Sequence, residues 1–184
     1  MGKSTTAGFF AKAGLPVWDA DAAVHRLYAP GGAAVTPIAA VWPKAMQDGA
    51  IDRGALKSII AADPTALTRI EAIVHPLVAA DRDAFLHSAS ADIVVLDIPL
   101  LFEKGAQAMM NATLLVTAPA ALQRARVMAR PGMTQAQFQT ILSRQMPDAE
   151  KRTQATHIVE SLSLSSVEAY VTALIAYLRE TAHA

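Results

Sequence analysis

Residues 2–21 read GKSTTAGFFAKAGLPVWDAD and place a helix, a stop signal and a strand in close succession. We predict a helix over residues 4–13, because Gly14 follows it as a normal C-terminal stop. Residues 16–18 predict a short buried strand that runs into two carboxylates. A helix connected directly to a buried strand is typical of layered α/β folds.

Three further segments predict strands, and helical segments separate them. They are residues 93–96, 113–116 and 157–159. The segment 92–96 lacks polar alternation, as expected of a parallel strand that helices cover on both faces. The pattern therefore predicts a three-layer α/β fold with a parallel sheet.

Helix signals support this alternation. Asp63 can cap a helix that has Pro64 in its first position. Thr134 and Gln137 form a capping-box pattern that opens another helix. Residues 170–178 carry apolar side chains at helical spacing and predict an amphipathic C-terminal helix.

Composition excludes several classes of function. The 184 residues include no cysteine, which excludes disulfides, thiolate metal sites and a cysteine nucleophile. Sixteen basic residues balance sixteen acidic ones, so no overall field would attract nucleic acid or an anionic membrane. No apolar run approaches the roughly 18 residues of a membrane span. We predict a single cytoplasmic domain without nucleic-acid or membrane partners, and we expect a monomer.

Gly2-Lys3-Ser4-Thr5 matches the end of the phosphate-binding motif G-x-x-x-x-G-K-[ST]. Glycine permits close backbone approach, lysine neutralises phosphate charge, and a helix that starts at Ser4 offers an N-terminus that favours anions. The first glycine and the strand that should precede the loop are absent from the sequence. In a doubly wound sheet such a helix follows a strand. We therefore expect about ten upstream residues that supply the strand and a glycine-rich turn, with Met1 as an internal methionine.

Asp19 and Asp21 follow the strand at its C-terminal end, where ligands bind in open α/β sheets. One of them could accept the proton of a hydroxyl that attacks a phosphate. The alternative is that either residue caps the helix from Ala22 onward. Spacing alone favours the cap.

The whole chain resembles the dephospho-coenzyme A kinases, which have a P-loop kinase fold. That family transfers the γ-phosphate of ATP to the ribose 3′-hydroxyl of dephospho-coenzyme A, the last step of coenzyme A biosynthesis, with Mg²⁺ as cofactor. The segments that carry the resemblance, in the family's order, are Gly2-Lys3-Ser4-Thr5, residues 14–21 (GLPVWDAD), His75-Pro76, residues 97–103 (DIPLLFE), residues 124–130, Arg144-Gln145 and Glu150-Lys151.

The resemblance implies a role for each candidate residue. Asp21 is the base or orienter of the ribose hydroxyl, and Lys3 clamps the phosphates. Ser4 binds Mg²⁺. The family does not require an aspartate at position 97, but Asp97 ends a buried strand where many P-loop enzymes place a carboxylate that binds Mg²⁺ directly or through water; the alternative is a cap of the loop after its strand. The implied nucleotide contacts are Met1, Gly2, Lys3, Ser4, Thr5 and Arg126. The implied acceptor-side residues are His75, Pro99, Leu100, Leu101 and Glu103.

Arg126 and Arg130 are four residues apart, hence on one face of a helix that begins near Ala120. The family has a mobile lid here, which implies that Arg130 covers the transferring phosphoryl group. The alternative is a solvated basic face. The five histidines show no metal-ligand spacing.

The resemblance implies one P-loop kinase domain over residues 1–184. Its parts are a core of 1–30, 91–119 and 153–184, a helical acceptor-binding insertion at about 31–90, and a helical lid at about 120–152. Two other functions stay open: a kinase of another nucleotide-like acceptor, such as a nucleoside monophosphate, and a chain that binds the acceptor without transferring phosphate. Residues 99–103 argue against the first.

Overall fold

The computed structural model describes residues 2–182, which form α-helices and short strands. Two short 3₁₀ turns, at Pro43–Ala45 and Ala106–Met109, complete the regular structure. No helix in this range is long and apolar enough to span a membrane. The elements in chain order are α1 (Lys3–Lys12), β1 (Val17–Asp19), α2 (Ala20–Tyr28), α3 (Val35–Val41), β2 (Met46–Gln47), β3 (Ala50–Ile51), α4 (Arg53–Ala62), α5 (Ala66–Ser88), β4 (Val95–Asp97), β5 (Leu114–Thr117), α6 (Ala120–Met128), α7 (Gln135–Ser143), α8 (Asp148–Gln154), β6 (His157–Glu160) and α9 (Leu164–Ala182).

The chain divides into two compact units. Unit A contains the described residues up to Val17 and those from Asp97 onward, and unit B contains Trp18–Leu96. The division falls within β1 and β4, which neighbour each other in a two-stranded sheet. The α/β class predicted from the sequence is confirmed.

Unit A is built on the parallel pair of β5 and β6, whose register aligns Leu114 with His157 and Thr117 with Glu160. Helix α1 packs against α9. Apolar side chains at helical spacing bury the shared face, and each contributes roughly 1.5–3 kcal/mol of transfer free energy. The buried members are Phe9, Phe10, Val167, Val171, Leu174 and Ile175.

Unit B is a helical assembly in which α2, α3 and α4 pack against α5. Its core is a cluster of buried apolar side chains that includes Leu27, Ile38, Leu56, Ile70 and Val74. Ile38 has no exposed surface. The unit therefore has its own hydrophobic core.

All four predicted strands are present, each within two residues of its predicted bounds. The hairpin of β2 and β3 was not predicted, although its turn has a recognisable signal. Asp48 and Gly49 have φ of 51° and 76°, and Asp-Gly is a preferred pair for such left-handed hairpin turns. The two-residue strands are too short for an alternating pattern to stand out.

The predicted start of the helix after residue 63 is wrong by two residues. Asp63 does not cap the helix: its carboxylate accepts hydrogen bonds from the backbone N–H and the hydroxyl of Thr65. This bond to residue i+2 makes a local turn, and α5 begins only at Ala66. The capping box at Thr134 and Gln137 is confirmed, with both reciprocal hydrogen bonds formed.

Candidate active site

Gly2 begins the N-terminus of α1 in a left-handed conformation, with φ of 94°. The helix then closes on the Gly2 carbonyl, which accepts hydrogen bonds from the N–H and the hydroxyl of Thr6. A Cβ on Gly2 would be in ordinary contact with Ser161 at 3.5 Å, so it is the positive φ that favours glycine here. The N–H groups of the first turn have no partner within the helix and favour an anion. Met1, predicted to contact the nucleotide, lies outside the described residues.

Lys3 forms an ion pair with Asp97 at the C-terminal end of β4. The Asp97 side chain is only 1% exposed, whereas that of Lys3 is 44% exposed. Lys3 binds the Oδ1 atom, and Oδ2 of Asp97 is buried without a hydrogen-bond partner among residues 2–182. Leaving a carboxylate oxygen buried and unpartnered costs free energy, so this atom is a candidate ligand for a cation.

A cleft of about 270 Å³ opens at the N-terminus of α1. It brings together Gly2, Thr5 and Arg126, which were predicted to contact the nucleotide, and Arg130, which was predicted to cover the transferring phosphoryl group. Ser161, Ser163 and Leu164 after β6 also line the cleft and were not predicted. These residues follow the C-terminal end of a parallel strand, where ligands bind in α/β sheets. That position was the signal that could have revealed them.

Arg126 and Arg130 line the same cleft but do not share a helix, which corrects the prediction that they lie on one helical face. Helix α6 ends at Met128, and Arg130 lies in the following turn. The reason is Pro131, because proline disfavours helical backbone at the residue before it.

The two guanidinium groups differ in their partners. Arg126 donates to the carbonyl and the hydroxyl of Ser161, at 2.6 and 2.9 Å, and to the Leu162 carbonyl at 3.3 Å. It thus fixes the loop after β6 to α6. The side chain of Arg130 makes no hydrogen bond or ion pair within residues 2–182, so its charge is available to a ligand in the cleft.

The loop after β4 contains Leu100, whose φ of 54° is uncommon for a residue with a side chain. Pro99 and Leu100 are exposed, and Leu101 is half-buried. Glu103 is directed into the protein: its Oε1 accepts from Lys151 Nζ at 2.6 Å and from the Met146 N–H at 2.8 Å. Both charged side chains are 13% exposed. This buried pair was not predicted.

Burial would raise the pKa of Glu103, but the hydrogen bonds from Lys151 and the Met146 N–H outweigh it and hold the pKa below its ordinary value. The carboxylate is therefore charged at neutral pH and joins the loop after β4 to α8. Arg144, also part of the family resemblance, is exposed at the end of α7.

Helix α8 also forms side-chain hydrogen bonds with β5 and β6. The Asp148 carboxylate accepts from the hydroxyl of the buried Thr117 at 2.6 Å and from Arg152 at 2.7 Å. Arg152 in turn donates to Glu160 at 2.9 Å. The chain from residue 148 onward is thus held to the strands of unit A.

In unit B, Asp19 caps α2 by accepting the Ala22 N–H at 2.9 Å, as its spacing favoured. Asp21 lies in the exposed first turn of α2, where a carboxylate is stabilised by the helix dipole. His75 is exposed on α5. Among the described residues, no three His, Asp or Glu side chains cluster as a metal site.

Comparison with known proteins identifies the family. Residues 1–165 match the family model described as dephospho-CoA kinase. The chain is 68% identical over its full length to a dephospho-CoA kinase from Cereibacter sphaeroides, covering 93% of that protein. It is 54% identical over 97% of its length to one from Ruegeria pomeroyi, covering 91% of that protein.

Solved structures have the same fold. A crystal structure of a Thermus thermophilus protein is 38% identical with a TM-score of 0.81, over 96% of this chain and 92% of the other. A dephospho-CoA kinase from Campylobacter jejuni is 20% identical with a TM-score of 0.72, over 98% and 92%. The predicted P-loop kinase fold and the predicted family are both confirmed. The chain therefore belongs to the dephospho-CoA kinase family.

Proposed function

We propose that this chain transfers the γ-phosphate of ATP to the ribose 3′-hydroxyl of dephospho-coenzyme A, the last step of coenzyme A biosynthesis. The observation that carries the proposal is the cleft at the N-terminus of α1, which brings together the first-turn N–H groups of α1 and the guanidinium of Arg130, which has no partner within the described part of the chain. Both favour a polyphosphate. The high identity to dephospho-CoA kinases supports the choice of acceptor.

Phosphoryl transfer requires mainly positioning and stabilisation of charge. Gly2, Lys3 and Thr5 would bind the phosphates of ATP at the start of α1. Arg130 would neutralise charge on the transferring group from the other wall of the cleft, while Arg126 holds the loop after β6 in place. In this proposal, the start of α1 and the cleft beside it form the ATP-binding site.

Mg²⁺ is the expected cofactor, and two groups in unit A suit it. Asp97 offers a buried carboxylate oxygen that no other described residue binds, and the Ser4 side chain is exposed in the first turn of α1. Hard oxygen ligands of this kind, completed by phosphate oxygens, are what Mg²⁺ prefers. When bound, Mg²⁺ would supply positive charge to the phosphate oxygens that accumulate negative charge.

Asp21 would act on the acceptor. The ribose 3′-oxygen forms a bond to the γ-phosphorus, the bond from that phosphorus to the β,γ-bridging oxygen breaks, and ADP leaves with the electron pair. The hydroxyl proton passes to the Asp21 carboxylate, which is exposed at the start of α2. His75, Pro99, Leu100 and Leu101 would line the acceptor site, and Glu103 would shape it through its ion pair with Lys151.

We further propose the domain parts that the resemblance implies: a core of residues 1–30, 91–119 and 153–184, an acceptor-binding insertion at about 31–90, and a lid at about 120–152. The moving part of the lid would end before α8, because Asp148, Lys151 and Arg152 bind other parts of unit A. A cytoplasmic monomer that binds only small molecules completes the proposal.

The test is an ADP-release assay with Mg-ATP and a panel of acceptors, on protein expressed from its complete reading frame. We expect release with dephospho-coenzyme A, and at least about 100-fold less with nucleoside monophosphates, because phosphoryl transfer requires a positioned acceptor. Equal or greater turnover of a nucleoside monophosphate would contradict the proposed substrate. Tight binding of dephospho-coenzyme A without ADP release would instead support a binding protein.

A further inference from the structure

Asp81 on α5 connects the two sides of the segment that carries Asp21. Its Oδ1 accepts from the indole N–H of Trp18 at 2.7 Å and from Arg26 Nη2 at 2.5 Å. Its Oδ2 accepts from Arg26 Nε at 3.3 Å, so the guanidinium binds the carboxylate with two nitrogens. All three residues lie in unit B.

The two partners of Asp81 lie on either side of Asp21 in the sequence. Trp18 belongs to β1, immediately before the Asp19 cap, and Arg26 lies in the last turn of α2. Asp21 lies between them, in the first turn of the same helix. A rigid helix held at both ends has a fixed direction, and so do the side chains of its first turn.

The contacts are specific. Trp18 is 3% exposed, so its indole N–H requires an internal partner, and Asp81 supplies it. The Asp81 side chain is 23% exposed and that of Arg26 is 55% exposed, so the carboxylate is the more buried member of their ion pair. Hydrogen bonds from Arg26 lower the pKa of Asp81 despite partial burial, which keeps the carboxylate charged at neutral pH.

We propose that Asp81 is a positioning residue for phosphoryl transfer: by binding Trp18 and Arg26 together, it fixes the direction of α2 and hence of the Asp21 carboxylate. This inference rests on the proposed function of Asp21. Asp81 itself contacts no reacting atom. It acts through geometry, and a misplacement of about 1 Å at a reacting group can cost on the order of 100-fold in rate.

Asp81→Asn tests the proposal, with Asp83→Asn as the matched control. Asp83 lies on the same helix, but its carboxylate accepts hydrogen bonds from the neighbouring Arg82 side chain of α5. These bonds do not connect α5 to α2. We expect Asp81→Asn to lower kcat for dephospho-coenzyme A about 10- to 100-fold with the KM for ATP unchanged. Asp83→Asn should keep the wild-type kcat.

The double variant Asp21→Asn with Asp81→Asn distinguishes an effect through Asp21 from a general loss of structure. If Asp81 acts only through Asp21, the second substitution has no further effect on kcat, because coupled residues are not additive. A general loss of structure would instead lower kcat again in the Asp21→Asn background, and that result would overturn the proposal. Trp18 fluorescence, measured in a Trp42→Phe background, should change on Asp81→Asn because the indole N–H loses a charged acceptor.

Two failures remain distinguishable. Wild-type activity in Asp81→Asn would refute the positioning role and leave the proposed function intact. Absence of dephospho-coenzyme A kinase activity in the wild-type protein would refute the proposed function, and the positioning role with it.

Discussion

Replacement of Lys151 by methionine breaks the buried ion pair with Glu103 while keeping most of the apolar stem. The pair is 2.6 Å long and both side chains are 13% exposed, so little water can replace the lost ammonium. The Met146 N–H still binds Oε1, but Oε2 has no partner in the part of the chain that the structure describes. A hydrogen bond to a charged group contributes about 1.5–3 kcal/mol, and breaking a fully buried pair costs about 3–5 kcal/mol. For this pair we expect a loss of about 2–3 kcal/mol in the free energy of unfolding.

Urea denaturation measures this loss, with Lys104→Met as the control. Lys104 is exposed beside Glu103 and should contribute less than about 0.5 kcal/mol. Thermal unfolding should show a decrease of roughly 6 °C for Lys151→Met, since about 1 kcal/mol shifts Tm by about 2–4 °C in a domain of this size. The double variant Glu103→Gln with Lys151→Met should recover part of the loss. A loss no greater than that of Lys104→Met would refute the burial argument.

The same reasoning predicts how the stability of Lys151→Met depends on pH. In the wild type, the lowered pKa of Glu103 means that its contribution to stability is present above the unfolded pKa of about 4.3 and is lost as the pH falls. Without Lys151, burial should dominate and raise the pKa of Glu103 above the unfolded value. The stability difference between wild type and Lys151→Met should therefore shrink as the pH falls from about 7 to about 4. A difference that stays constant would contradict this reasoning.

Single contacts lead to three more predictions. Gly8→Ala should stabilise the protein by about 0.5–1 kcal/mol, because a Cβ at this position in α1 meets nothing within 4 Å. Gly32→Ala should destabilise the protein by about 1–3 kcal/mol, because its Cβ would lie 2.3 Å from a backbone oxygen. Urea denaturation of both variants measures these changes. Arg130→Ala should lower kcat/KM for ATP about 100-fold at unchanged Tm, whereas Arg126→Ala should also lower Tm because it loses three hydrogen bonds. Burial would raise the pKa of Asp148, but the hydrogen bonds from Arg152 and Thr117 hold the pKa below its ordinary value. The wild type therefore loses stability as the pH falls below about 4, and Asp148→Asn should lose less stability over the same range. An unchanged dependence of stability on acid pH would contradict this.

The sequence was sufficient to predict β1, β4, β5 and β6, because short apolar runs without polar alternation are typical of strands that are covered on both faces. It also predicted the Thr134 capping box and a cap at either Asp19 or Asp21, since such caps depend on neighbours three residues away. The structure selects Asp19, and α2 begins at Ala20 rather than at Ala22. The error at Asp63 shows the limit of local patterns. The same side chain can bond to residue i+2 and make a turn, and propensity does not distinguish the two outcomes.

Contacts between distant residues could not be predicted from one sequence. Trp18 and Asp81 are 63 residues apart, and Met146 binds a carboxylate 43 residues away. Each pair meets only because helices pack in one particular register, which a local pattern does not encode. For the candidate site, the motif at Gly2 predicted one wall of the cleft. The residues after β6 follow a predicted strand, and the parallel pairing of β5 and β6 shows that this is the end of the strand where ligands bind.

Steady-state turnover of Mg-ATP and dephospho-coenzyme A by the wild type, Asp21→Asn and Asp19→Asn tests the proposed reaction and its base together. Asparagine is as good a helix cap as aspartate, so Asp19→Asn preserves α2 and serves as the control. We predict ADP and coenzyme A in equal amounts from the wild type and near-normal turnover for Asp19→Asn. For Asp21→Asn we predict a kcat lower by at least about 100-fold with an unchanged KM for ATP. A wild-type rate in Asp21→Asn would contradict the role of Asp21 as the base.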